Sequence, residues 1–155
     1  MKKLFSILAL VLITSVGFAG GDDIPTRGGG GSGSGSLNTV KSALLKFESN
    51  VKWSAVSSNW KRIRSRWISD VRTSGSANVV AKQLSRLEAN IKWSAVSSNW
   101  KRIRSNWVNK CRNAGSSKQV ARLLLQLETN TKWSAVSRTW KRIRNRWISN
   151  LRSVQ

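Results

Sequence analysis

Histidine and tyrosine are absent from this chain, cysteine and proline occur once each, and only six of its 155 residues are acidic. Each shortage closes a class of function. Without imidazole and with a single thiol, the side chains that build zinc sites or activate a nucleophile are missing. The acids are Asp22, Asp23, Glu48, Asp70, Glu88 and Glu128, with no paired carboxylates in the later part of the chain for general acid–base work. No phosphate-cradling glycine motif precedes a helix. No enzymatic activity, cofactor or metal is therefore expected.

The lone cysteine, Cys111, cannot close an internal disulfide, so stability must come from a core. Its position matches Val71 and Leu151 in the repeats described below, which makes it a small core residue. A Cys111-linked dimer is the minor alternative.

Long apolar runs are also scarce. The one present, Leu4 to Phe18, follows Met1-Lys2-Lys3 and ends at Gly17-Phe18-Ala19. That three-part pattern predicts an export signal peptide over residues 1–19 and a secreted or periplasmic product. Residues 20–36 read as a flexible Gly/Ser-rich tether with an average reach of roughly 20–25 Å.

Positive charge is in excess. The formal net charge is +22 over the whole sequence. Such an excess disfavours compaction and is relieved by a polyanion. Outside the cytoplasm the available polyanions are anionic lipid, lipopolysaccharide, acidic wall polymers and free nucleic acid.

The strongest pattern is a 40-residue repeat, with units 36–75, 76–115 and 116–155 within a domain 37–155. Lys52-Trp53-Ser54-Ala55-Val56-Ser57 recurs at 92–97 and 132–137, and Trp60-Lys61-Arg62-Ile63-Arg64 recurs at 100–104 and 140–144. All nine tryptophans fall on three equivalent positions: Trp53, Trp60 and Trp67; Trp93, Trp100 and Trp107; Trp133, Trp140 and Trp147. Gly75-Ser76 and Gly115-Ser116 mark the unit boundaries as helix-ending glycine followed by a capping serine.

Within a unit, Val40, Leu44, Phe47 and Val51 line one helix face, and Trp53, Val56, Trp60, Ile63, Trp67 and Val71 line another. No two-residue alternation competes, so the fold class is all-α. The two stripes share a face only if the chain breaks near Asn50–Trp53, with Asn50 ending one helix and Ser54 capping the next. This predicts three helical hairpins packed into one small domain. Three long helices in a bundle are the alternative, favoured by the helical spacing of Glu48 and Lys52.

The tryptophan stripe has core packing as its expected role, since each indole buries on the order of 200 Å². Lipid contact and base stacking are the competing roles. Arg64, Arg104 and Arg144 sit at the stripe's edge, within helical reach of Trp60 and Trp67 and their copies. Lys61, Arg62 and Arg66, Lys101 and Arg102, and Lys141, Arg142 and Arg146 complete a candidate polyanion-binding face almost without acids.

In composition the chain is similar to tryptophan-rich cationic bacteriocins, with no motif that carries residues over. The expected function is binding to an anionic membrane surface or lipopolysaccharide, with antibacterial damage as one consequence. Binding of extracellular nucleic acid is the alternative, and a scaffold for an acidic protein the third. The tryptophan spacing is too narrow for Myb-type DNA-binding repeats, and no base-reading signature is present.

Overall fold

The computed structural model describes residues 33–155. The expected signal peptide and the tether over residues 20–32 lie outside the described residues. Six helices follow in order: α1 (Ser34–Asn50), α2 (Ser58–Thr73), α3 (Ala77–Ala89), α4 (Ser98–Asn113), α5 (Ser117–Thr129) and α6 (Arg138–Arg152). The described residues form no strand, only three isolated antiparallel bridges. Helix α1 begins inside the span assigned to the tether, because Leu37 packs against the core and draws a further turn into the helix.

The hairpin forms in each unit, and the long-helix alternative does not. Helix α1 ends at Asn50, Val51 is extended, and Trp53–Ala55 makes one turn of 3-10 helix before Val56 extends again. The cap of α2 is Ser57, not Ser54: its hydroxyl accepts the Trp60 amide at 3.2 Å. The Ser54 expectation failed because a serine pair three residues apart offers two caps, and only the later one leaves room for the turn. The Glu48–Lys52 pair fails for the same reason. Lys52 lies outside the helix, and its ammonium donates to the Ser134 carbonyl of another unit at 2.9 Å.

The three units close into a ring with pseudo-threefold symmetry. At the hairpin junctions the Lys52 amide donates to Ala135, Lys92 to Ala55 and Lys132 to Ala95, each at 2.8 Å. Ser57, Ser97 and Ser137 amides likewise donate to Asn90, Asn130 and Asn50 carbonyls at 2.8 Å. Every junction therefore donates one backbone hydrogen bond to each neighbour and accepts one from each. All three lie at the same end of the ring, where Ala55, Ala95 and Ala135 form a small buried cluster.

Helices α1, α3 and α5 touch one another in the centre, and each of α2, α4 and α6 packs between its own central helix and the next. The second tryptophan of each outer helix fastens that seam. Trp67 donates its indole N–H to the Gln83 carbonyl at 2.9 Å, Trp107 to Leu123 at 3.0 Å and Trp147 to Ala43 at 2.9 Å. Six tryptophans are buried at 3% exposure or less, together with Val40, Leu44, Phe47 and their equivalents. Cys111 is buried among them at 1% exposure, as its match to Val71 and Leu151 implies. A thiol so placed is not presented to a second chain.

Ser76 and Ser116 cap α3 and α5 as expected, the latter in a capping box with Gln119. The glycines before them do not act as left-handed caps: no described glycine has positive φ, and α2 and α4 end on Ser74 and Ala114, both with negative φ.

Candidate polyanion-binding surface

Each unit holds one acid at the same place: Glu48, Glu88 or Glu128, at 4–5% exposure. A buried carboxylate is costly unless its lone pairs are filled, and here they are. Glu88 accepts the Trp100 indole N–H at 3.0 Å, Arg104 Nε at 2.6 Å and Arg104 Nη2 at 2.9 Å. The Glu48–Trp60–Arg64 and Glu128–Trp140–Arg144 sets repeat the arrangement. The pKa of each of these arginines is raised above its ordinary value. The hydrogen bond to the carboxylate raises it most, burial opposes, and charge attraction adds.

This geometry corrects two expectations. Arg64 does not lie over Trp60. It lies over Trp53, with its guanidinium carbon 5.6 Å from the ring centroid, and Lys61 Nζ approaches the same ring at 5.7 Å. Nor are Arg64, Arg104 and Arg144 uncompensated, since a buried glutamate neutralises each one. The wheel placed Arg64 beside Trp60 but could not show which carboxylate faces that point from the paired helix.

Trp53, Trp93 and Trp133 depart furthest from the expected core. They stand at 51%, 51% and 52% exposure, while the other six indoles are inside. The reason is the late start of α2, α4 and α6. A tryptophan in the preceding 3-10 turn is no longer on the helix face that meets the core.

The remaining candidates, Lys61, Arg62, Arg66, Lys101, Arg102, Lys141, Arg142 and Arg146, are all exposed on the outer helices. The described residues carry 25 lysines and arginines against four acids. Three of those acids are the buried glutamates, and the fourth, Asp70, pairs with Arg86 at 3.6 Å. Twenty-one basic side chains therefore have no carboxylate partner among the described residues. A groove of about 610 Å³ between α4 and α5 is lined by amides and bases, including Asn106, Asn109, Lys110 and Arg122, with no acid facing it.

A family model described as a domain of unknown function, DUF8799, matches residues 34–92 and again 78–132. The chain belongs to the DUF8799 family. Each match spans one hairpin, short of only Ala77 in the second, and all of the first helix of the next unit, which is the set of three helices that meet at one seam. No curated protein and no solved structure matches this DUF8799 chain.

Two sets of residues in this DUF8799 chain escaped the sequence pattern: the buried glutamates and the junction lysines Lys52, Lys92 and Lys132. One signal for the glutamates was present. The first helices differ freely between units, yet the acid stays 12 residues before a tryptophan and 16 before an arginine in all three.

Among the described residues no helix is long and apolar enough to cross a membrane, and no cluster of three or more acid or thiol side chains could hold a metal ion.

Proposed function

We propose that this chain is an exported, non-catalytic protein that binds anionic envelope surfaces, lipid headgroups or lipopolysaccharide, through positive charge presented in three copies. The observation that carries this reading is the bookkeeping of acids: all four described carboxylates are engaged internally, and 21 bases are left without one. A solvated face in an ordinary soluble domain mixes the two signs. Here neighbouring Arg62 and Arg66 repel each other on α2, as do Arg142 and Arg146 on α6. A ligand that brings phosphates or other anions to those positions removes the repulsion. Equivalent positive charge on all three units lets one molecule meet several anionic groups, which raises the effective concentration of the later contacts wherever the ligand can reach more than one unit.

The test is retention of the protein on anionic vesicles, lipopolysaccharide and duplex DNA at increasing salt. It is repeated with Lys61, Arg62, Arg66, Lys101, Arg102, Lys141, Arg142 and Arg146 changed to Gln. Binding to lipid or lipopolysaccharide that weakens with salt and with the substitutions supports the reading. Stronger retention on DNA at every salt concentration moves it to nucleic acid. Failure to bind any of the three in dilute buffer ends it.

A further inference from the structure

We infer that the junction end of the ring is a membrane-docking face, in which Trp53, Trp93 and Trp133 together enter the headgroup boundary of an anionic bilayer. This rests on the anionic-surface reading above and assigns it a face, a partner and an orientation. Single exposed apolar residues are ordinary on a protein surface. Three half-exposed indoles at equivalent positions, on one end, are not scattered singles. Pseudo-threefold equivalence puts them at equal height along the axis, so they define a plane across it. A flat surface is the partner that all three can meet at once, with the axis along the membrane normal.

The charges at that end agree in sign. Lys61, Lys101 and Lys141 lie in the first turns of α2, α4 and α6, next to the junctions. Lys52, Lys92 and Lys132 flank the tryptophans in sequence and are exposed, while Glu48, Glu88 and Glu128 beneath are buried and paired. Indole beside lysine or arginine is the composition of a membrane–water interface.

The ring environment separates lipid from its rivals. Each exposed indole is approached by two cations at 5.5–5.8 Å from its centroid. Stacking on a base or a sugar needs the ring face and competes with them. Entry into a lipid interface leaves both contacts in place and carries the unpaired Lys61, Lys101 and Lys141 to the level of the phosphates.

The experiment uses the full chain with vesicles of mixed phosphatidylcholine and phosphatidylglycerol, with and without brominated acyl chains. The triple variant Trp53→Ser, Trp93→Ser, Trp133→Ser is compared with wild type. The six core indoles lie out of lipid reach, so bromine quenching of wild type reads the exposed three. The expected result is partial quenching in wild type and a loss of vesicle affinity on the order of tenfold for each tryptophan removed. Duplex DNA retention by the basic flanks should be unchanged. Unquenched wild type, or vesicle binding undiminished in the triple variant, overturns the proposal. Wild type that binds DNA or lipopolysaccharide but not vesicles overturns it while leaving the polyanion reading standing. Far-UV circular dichroism and the thermal midpoint verify the fold. Should the triple variant misfold, the single variant Trp93→Ser with the same lipids gives the same decision at about one tenfold step.

Discussion

The Arg64 guanidinium binds the Glu48 carboxylate side-on, with Nε on Oε1 and Nη2 on Oε2 at 2.8 Å. Glu48 comes from the central helix of the hairpin and Arg64 from the outer one, so the pair spans the fold it stabilises. Its outer side touches Trp53 and its inner side Trp60. One buried acid thus positions a core indole, a surface cation and an exposed indole.

Changing Glu48 to Gln leaves Arg64 without its counter-charge in a half-buried place. Removing one partner of a fully buried pair costs about 3–5 kcal/mol. Arg64 keeps some solvent, so the expected loss is about 2–3 kcal/mol, read as a lower urea midpoint. Asp70→Asn is the control. Its pair with Arg86 is longer and exposed, and the expected change is within about 0.5 kcal/mol. Equal losses at the two positions would contradict the role given to burial.

The two populations of tryptophan should separate cleanly in stability. Trp60→Ala or Trp67→Ala removes a buried indole and its hydrogen bond, an expected loss of about 3–5 kcal/mol. Trp53→Ala removes a half-exposed ring and two cation–π contacts, and about 1 kcal/mol or less is expected. Guanidinium denaturation of the three variants checks the order. A Trp53 cost equal to the others would place that ring in the core after all.

Much of this architecture was legible in the sequence. The repeat, the helical class, the hairpin and the core role of six tryptophans all follow from period and apolar spacing. The exposed tryptophans escaped because spacing carries a helical wheel across Trp53 even where the backbone is not helical. What decides between the two is the cap, and Ser54 and Ser57 compete for it in the same short stretch. Closure of the ring was illegible for a different reason. It is made by backbone donors of Lys52, Ser57 and their copies, which every residue but proline possesses. The Glu48–Arg64 pair crosses from one helix to another, where a one-dimensional pattern gives no distance.

Ring closure predicts how the chain tolerates being cut. Units 1 and 3 are joined by the Ser137 amide to Asn50, the Lys52 amide to Ala135 and the Trp147 indole to Ala43. Removing unit 3 leaves α1 and α3 with uncovered apolar faces, and a chain ending at Gly115 is expected not to fold. A circular permutant that begins at Ser76 and joins residue 155 to residue 36 by a short linker keeps every seam, and it is expected to fold. Amide dispersion in a proton–nitrogen spectrum distinguishes the two. A well-folded two-unit fragment would show that the seams are independent and that closure contributes little.

Alkaline pH isolates the buried thiol. Burial pushes the Cys111 pKa up to about 12 from an ordinary value of 9.0, with the charge of Glu88 adding to it. Above pH 9 the unfolded chain has released this proton while the folded chain still holds it. Stability therefore falls as pH rises, by about 1.4 kcal/mol per pH unit until the folded thiol itself ionises. Lysines titrate in the same window, so the informative quantity is the difference between wild type and Cys111→Val, in which the lysines cancel. Valine is already accommodated at the equivalent Val71, and leucine at Leu151. Urea midpoints at pH 8, 9, 10 and 11 should show the two proteins diverging above pH 9, with wild type the weaker. Parallel behaviour across that range would mean that the thiol is solvated, and it should then also react with a disulfide reagent in the native state. The buried position predicts no such reaction until the ring is unfolded.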